Sequence, residues 1–370
     1  MTKITIPISK PHLEKDEKNN VLKCLNSGWI SSAGKYVQEF EKSFVNYLGK
    51  GFGVAVSNGT VAIELALRTF KIGYGDEVII PNFTYAATIN AVINSGAKPV
   101  LVDIEKSTWT IDINEIKKKI SKKTKAIIPV HVYGQPAKID EIKSIATKNK
   151  IKVIEDCAEA LGATYKNRKI GIESDCATFS FFGNKIITTG EGGILVFNDK
   201  KNSNLAKVLR NQGQSTNKSF WHTNAGFNFR MTNIQAAIGV AQIKKIKKFI
   251  SKRKKIFKFY YNNLKINKRI EFLPSNDWSE NSYWYYTIII KNIGQSRRNK
   301  LIEILKTYGI ETRPGFYPLN SMKPYKKYSQ KKYKISSYIG QNSITLPTFY
   351  SLEKKQQNYI SKILLKIIEK

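Results

Sequence analysis

Between residues 77 and 196, strand-length apolar runs alternate with helical patterns, and this alternation constrains the fold more than any other feature of the chain. The runs fall at 77–80, 99–103, 126–130, 152–156, 177–181 and 193–196. Each is short, and amphipathic stretches separate them, as expected of strands covered by helices on both faces. A mostly parallel sheet in an α/β fold follows. Turn signals such as GYGD at 73–76 and NSG at 94–96 punctuate the elements. After a long helix that begins near Thr232 the character shifts: SYWYYTIIIK at 282–291 reads as a strand, with a helix over 298–308 and a short strand and turn over 310–316. These features predict a large domain over residues 1–244 and a small C-terminal α/β domain over 245–370.

Within that frame, TFSFFGNKIITTGEGG at 178–193 sets one lysine between an aromatic-rich strand and a glycine-rich turn. An amine attacks carbonyls only when its pKa is lowered and its position fixed, so Lys185 is the candidate reactive group, with Phe179, Phe181 and Phe182 expected to wall it. Most of the other 52 lysines are solvated surface charges. Upstream, the apolar run KVIED ends in Asp156, where a carboxylate would sit at the C-terminal edge of a buried parallel strand. Among cofactors that join lysine through a Schiff base, pyridoxal 5′-phosphate needs an acid against its pyridine nitrogen and a cradle for its phosphate. SNGTVA at 57–62 opens a helix expected over 61–70, whose N-terminus favours an anion.

Other classes fit poorly. The net charge of +34 raises nucleic-acid binding as a function. The excess is nearly all lysine spread over amphipathic helices such as 116–120 and 237–260, whereas phosphate and base readers lean on Arg and interleaved aromatics. No apolar run has the length of a membrane span, and MTKITIPISK has no signal-peptide character, so a cytoplasmic protein without membrane insertion is expected. Cys24, Cys157 and Cys176 have no CxxC spacing and read as buried small hydrophobes; His12, His131 and His222 are too scattered for a metal cluster, so no metal is expected.

SNGTVAIELAL, DEVIIPNFTYAATINAV, IPVHVYGQPAKID, VIEDCAEALGATY, FSFFGNKIITTGEGG and GFNFRMTNIQAAIG occur in this order. Together they resemble the DegT/DnrJ family of sugar aminotransferases, from about Ile6 to near the C-terminus. The resemblance implies the aspartate-aminotransferase-like fold type I of pyridoxal-phosphate enzymes, and a homodimer with shared active sites. It implies that Lys185 holds the cofactor and carries protons, that Asp156 faces the ring nitrogen, and that Glu159 lies beside the ring. Tyr85 would stack on the ring. Gly59, Thr60 and Ser180 would hold the phosphate, joined by Asn228 from the partner subunit. Bland alternatives stay open: Asp156 as a helix cap, Tyr85 as a core aromatic, Ser180 as a strand hydroxyl bonded to backbone, Asn228 as a loop residue.

Trp29, Ser31, Phe182, Arg230, Arg313 and Tyr317 fall in stretches that flank the substrate in the family, and Arg230 or Arg313 could pair with a diphosphate. SGWISSAGKYVQEFEKSF is similar to the branch that aminates C4 of GDP-4-keto-6-deoxymannose to give GDP-perosamine for surface polysaccharide, with L-glutamate as donor. Gly315 and Asn320 depart from that branch, which often has a bulkier residue and a His there. A UDP- or dTDP-4-keto-6-deoxyglucose acceptor is the alternative. More remote are a dehydratase of the same family, in which His replaces the lysine, and a non-catalytic regulator. The basic surface would favour an anionic nucleotide-sugar.

Overall fold

The computed structural model describes residues 6–329 and 332–369. Its central sheet has seven strands in the order β1-β9-β8-β5-β4-β2-β3. These are β1 (Phe52–Val56), β2 (Glu77–Pro81), β3 (Lys98–Val102), β4 (Thr124–Ile127), β5 (Lys152–Asp156), β8 (Cys176–Ser180) and β9 (Gly193–Phe197). All run parallel except β9, which is antiparallel to both of its neighbours. Two short strands, β6 (Thr164–Tyr165) and β7 (Arg168–Lys169), form a hairpin that pairs with β11 (Ser279–Glu280).

Helices cover both faces, as the unbroken apolar character of the strands requires. One face buries Ile63 and Leu67 of α3 (Gly59–Thr69), Ile89 and Val92 of α4 (Ala86–Asn94) and Leu209 of α7 (Lys200–Arg210). The other packs against α1 (Lys15–Ser27), α2 (Lys35–Leu48), α5 (Ile113–Lys119), α6 (Ile139–Lys148) and α8 (Asn233–Lys244), through residues such as Cys24, Phe40, Ile116, Ile142 and Val240. The expected single helix over 237–260 is instead two, because the chain breaks at Lys245 before α9 (Ile246–Leu264). The helix expected over 61–70 begins two residues earlier, at Gly59.

A second sheet of four antiparallel strands follows: β10 (Ile270–Phe272), β12 (Tyr286–Ile290), β13 (Arg313–Pro314) and β14 (Ser343–Leu346). With α10 (Gly294–Thr307) and α12 (Lys354–Ile368) it builds a third core around Ile288, Leu305 and Leu364, joined by Ile6 from the N-terminus. The segment between β13 and α11 (Lys334–Asn342) returns to the large sheet, where Leu319, Tyr325 and Tyr333 enter its core. Asn82 holds this segment by accepting the Asn320 N–H at 3.0 Å and donating to Asn320 Oδ1 at 2.8 Å.

Candidate active site

Parallel strands deliver their chemistry at one edge. Asp156 and Ser180 are the last residues of β5 and β8, and the β1–α3 and β2–α4 turns lie at the same carboxyl edge. Asp156 is 4% exposed. Its Oδ2 accepts the Thr88 hydroxyl at 2.8 Å and its Oδ1 the Ala158 N–H at 3.1 Å. Burial pushes its pKa up, opposed by those two donors and by the nearby Lys185 charge. Turns follow β5, so Asp156 caps no helix.

Glu159 is equally sequestered, and its Oε2 accepts the Tyr133 N–H at 2.7 Å. Burial pushes its pKa up to about 7, with the Asp156 charge adding and Lys185 and the Tyr133 N–H opposing. Lys185 sits in a turn closed by its own N–H donating to the Phe182 carbonyl at 2.9 Å. Its Nζ lies 3.9 Å from the centroid of the Trp284 ring. That ring is pinned by its indole N–H, which donates to the Asn184 carbonyl at 2.8 Å. Desolvation lowers the amine pKa although Glu159 and Asp156 oppose it, and among the described residues Lys185 makes no ion pair. An amine whose pKa is lowered by burial, set against an aromatic face and near two acids, is what a carbonyl nucleophile needs.

The wall around Lys185 differs from expectation. Phe179 and Phe181 turn into the core, packing on Phe44 and Phe40 with ring centroids 4.9 and 5.1 Å apart, and Phe182 is exposed. The indole comes from Trp284, a hundred residues away, which no local pattern announces.

The turn after β1 forms a cradle. Asn58 caps α3 by accepting the Val61 N–H at 3.0 Å, worth about 1 kcal/mol. Gly59 and Thr60 carry the first N–H groups of the helix, which have no intrahelical acceptor. A Cβ on Gly59 would stand 2.8 Å from Ser180 Cβ and 3.1 Å from its Oγ, so glycine is what lets the helix start lie against the Ser180 hydroxyl. Gly193 likewise clears the Asn58 carbonyl, which a Cβ would meet at 2.5 Å. Ser180 Oγ also accepts the Phe182 N–H, at 3.4 Å.

Tyr85 precedes α4 and is 63% exposed, which rules out the core-aromatic alternative. Its ring lies 6.1 Å from Phe316, which stacks on Tyr133 at 4.9 Å and donates its N–H to the Tyr133 hydroxyl at 2.8 Å. Glu159, Tyr133, Phe316 and Tyr85 thus link the acid to the C-terminal segment. Tyr317 follows, its hydroxyl accepting from the buried Arg298 at 3.4 Å. Gly315 packs on β14, where a Cβ would lie 2.0 Å from Ser343 Oγ.

The remaining candidates are peripheral. Trp29 and Ser31 are exposed, with their carbonyls fixed by Asn233 at 2.6 and 2.8 Å. Arg230 beside β1 donates to Asn211 at 2.7 Å, and Arg313 pairs with Glu311 at 3.1 Å. Asn228 is exposed, and among the described residues its side chain has no hydrogen-bond partner.

One constellation escaped sequence reasoning. His131, Glu155 and Cys157 converge within 4.8 Å. His131 Nδ1 accepts the Ala137 N–H at 2.9 Å, so neutral His131 donates from Nε2 to Glu155 Oε2 at 3.0 Å. Burial would raise the Glu155 pKa, but His131, Ser174 and the Gly171 N–H hold it below its usual range. With these partners the group is a strut under the edge: the His131 N–H donates to the Asp156 carbonyl at 3.1 Å. All three cysteines are buried.

The model of the DegT/DnrJ/EryC1/StrS aminotransferase family matches residues 11–365. The chain is 42% identical to the GDP-perosamine synthase of Caulobacter vibrioides over 348 residues, 94% of each chain. It is also 42% identical to that of Escherichia coli O157:H7 over 357 residues, 96% of each. The Streptococcus pneumoniae protein Spr1654 in its PLP form superposes with a TM-score of 0.93 at 29% identity, covering 98% of both chains. With a lysine, two buried acids and a glycine-lined helix start at one sheet edge, the chain belongs to the DegT/DnrJ/EryC1/StrS aminotransferase family and is a pyridoxal-phosphate-dependent enzyme.

Proposed function

We propose that the protein transfers an amino group from L-glutamate to C4 of GDP-4-keto-6-deoxymannose, giving GDP-perosamine. The observation that carries the reading is the meeting of Lys185, Asp156 and Glu159 beside the Gly59–Ser180 cradle. The acceptor rests on the relatives at 42% identity.

The residues fit the cofactor. The Gly59 and Thr60 N–H groups and the Ser180 hydroxyl suit a phosphate in a space that a Cβ would fill. Asp156, a costly buried carboxylate, suits a cationic ring nitrogen. Tyr85, with an exposed ring, suits a planar partner. When bound, pyridoxal phosphate supplies an electrophilic carbonyl carbon and an electron-withdrawing ring. Lys185 would serve twice: its amine would hold the group as the nucleophile, and when free it would move the proton at the donor's α carbon. Asp156 would hold a proton on the ring nitrogen. Glu159 lies beside both.

A homodimer with shared sites is part of the proposal. Trp29, Phe220 and Trp221 are 59%, 92% and 55% exposed, apolar area that a second subunit would cover, and Asn228 has a free amide for a partner's phosphate. The domain boundary is proposed at the break between α8 and α9. Among the described residues no helix is long and apolar enough to cross a membrane.

The test pairs wild type with Lys185→Ala. The wild type is expected to show the visible band of bound cofactor and, with L-glutamate, to aminate the GDP-linked keto sugar; the variant does neither. Product from a UDP- or dTDP-linked sugar alone would move the substrate assignment. A band retained in the variant would remove Lys185 from its role.

A further inference from the structure

Two walls of the site meet on Tyr133. It is 2% exposed, and its backbone takes φ 50° and ψ 23°, the left-handed region that a bulky side chain rarely adopts. In that conformation its N–H donates to Glu159 Oε2 at 2.7 Å while its ring stacks on two others, Phe316 at 4.9 Å and 14° and Trp284 at 6.2 Å and 22°. Trp284 is the ring beneath Lys185 Nζ, and Phe316 neighbours Tyr85 and precedes Tyr317. One buried side chain therefore touches both the wall of the reactive amine and the C-terminal segment.

Strained backbone at a residue other than glycine persists only where the surroundings over-determine it, and here they do. Gly134, at φ 93°, accepts the Ser282 N–H at 3.2 Å, and a Cβ on it would lie 2.5 Å from Asn281 Oδ1. The turn thus grips the chain leading into Trp284, whose carbonyl is also held by the buried Arg253. At the far end of the side chain, the Tyr133 hydroxyl accepts the Phe316 N–H at 2.8 Å and bonds with Thr287 of β12 and Thr345 of β14. Burial keeps this phenol protonated, so it can accept from the Phe316 N–H and donate to a threonine. Packing alone would be met by a phenylalanine in an ordinary conformation. We infer that Tyr133 is a positioning residue with two separable parts: its ring seats Trp284 under Lys185, and its hydroxyl holds residues 315–317 in place for the sugar acceptor. The inference rests on the aminotransferase reading above. An amino acid donor is small and reacts next to Lys185, whereas a keto sugar carrying a nucleotide extends to the outlying segment, so loss of the hydroxyl bears on the acceptor half-reaction.

The experiment uses holoenzyme with Tyr133→Phe and Tyr133→Leu, each half-reaction followed separately by absorbance. Phenylalanine keeps the ring and loses the hydroxyl bond. The half-saturating concentration of GDP-4-keto-6-deoxymannose is expected to rise about 2- to 10-fold in Tyr133→Phe, and that of L-glutamate by less than about twofold. Leucine removes the ring as well. Cofactor-free Tyr133→Leu is expected to capture added pyridoxal phosphate with a pH dependence displaced to higher pH, as water reaches the Lys185 amine, while cofactor-free Tyr133→Phe keeps the wild-type profile. Equal losses in both half-reactions of Tyr133→Phe would overturn the inference, since a general packing role moves both alike. So would unchanged sugar saturation in Tyr133→Phe, or an undisplaced capture profile in Tyr133→Leu. If Tyr133→Leu fails to fold, the split between half-reactions in Tyr133→Phe decides. A wild type that aminates none of the GDP-, UDP- or dTDP-linked keto sugars would sink the function instead, and the capture profiles would still judge the seat of Trp284.

Discussion

Asp156→Asn separates what the site does for folding from what it does for chemistry. In the cofactor-free protein the carboxylate is buried with two donors, Thr88 and Ala158, and its raised pKa means that ionisation costs the folded state free energy. Asparagine is nearly isosteric. Its carbonyl can still accept the Ala158 N–H, and its amide can donate to the Thr88 hydroxyl, which in turn can donate to Thr84 Oγ1, 3.3 Å away. The hydrogen bonds therefore survive while the desolvated charge disappears. Cofactor-free Asp156→Asn is expected to melt no lower than wild type at pH 7, or to gain up to about 2 °C per kcal/mol recovered. The advantage should vanish as pH falls, because the folded wild-type carboxyl takes up its proton before the unfolded chain does. With cofactor the order reverses. Losing a charge-assisted hydrogen bond of about 1.5–3 kcal/mol to the ring nitrogen lowers turnover roughly 10- to 100-fold. Thermal unfolding with and without cofactor, beside single-turnover rates, reads both effects. A cofactor-free variant destabilised by more than about 2 kcal/mol would refute the argument, because Asp156 would then be a structural strut. Unchanged turnover would refute it from the other side.

Glu159→Gln should remove a pH dependence. With a folded pKa of about 7 against an ordinary 4.5, wild type loses stability as pH rises across that window, so the variant should gain on it by pH 8 and match it near pH 4.5 in cofactor-free melting curves. Parallel curves would contradict this. Gly59→Ala places a Cβ 2.8 Å from Ser180 Cβ, so equilibrium dialysis should show cofactor affinity reduced at least tenfold with the fold intact by circular dichroism; full retention would remove the cradle. Trp284→Leu strips the ring from beneath Lys185 and the bond to Asn184, so water enters and the amine pKa, read in the cofactor-free enzyme from the pH dependence of the rate at which added pyridoxal phosphate is captured, should rise. A fall in that pKa would mean that the aromatic face, and not desolvation, dominates.

Residues 77–196 announced their architecture because each strand is a local apolar run and each turn carries its own punctuation, and both are written in neighbouring residues. Lys185, Asp156, Gly59 and Ser180 were legible for the same reason: each sits at the end of a strand or the start of a helix, where an α/β sheet must present it. The family motifs pointed to the cofactor before any coordinates did. Trp284 under the amine, Tyr133 on Glu159, Thr88 on Asp156 and the buried Arg253 were not legible, since they join segments far apart in the chain and no periodicity records which distant side chain closes a pocket. The fate of the phenylalanines shows this. FSFF looks like the wall of the lysine, yet Phe179 and Phe181 turn into the core against Phe44 and Phe40, and the wall comes from Trp284, just ahead of β12. Protonation states belong to the same class: sequence names the acids and the amine, but only packing decides how much water each one keeps, and that sets which of them is charged.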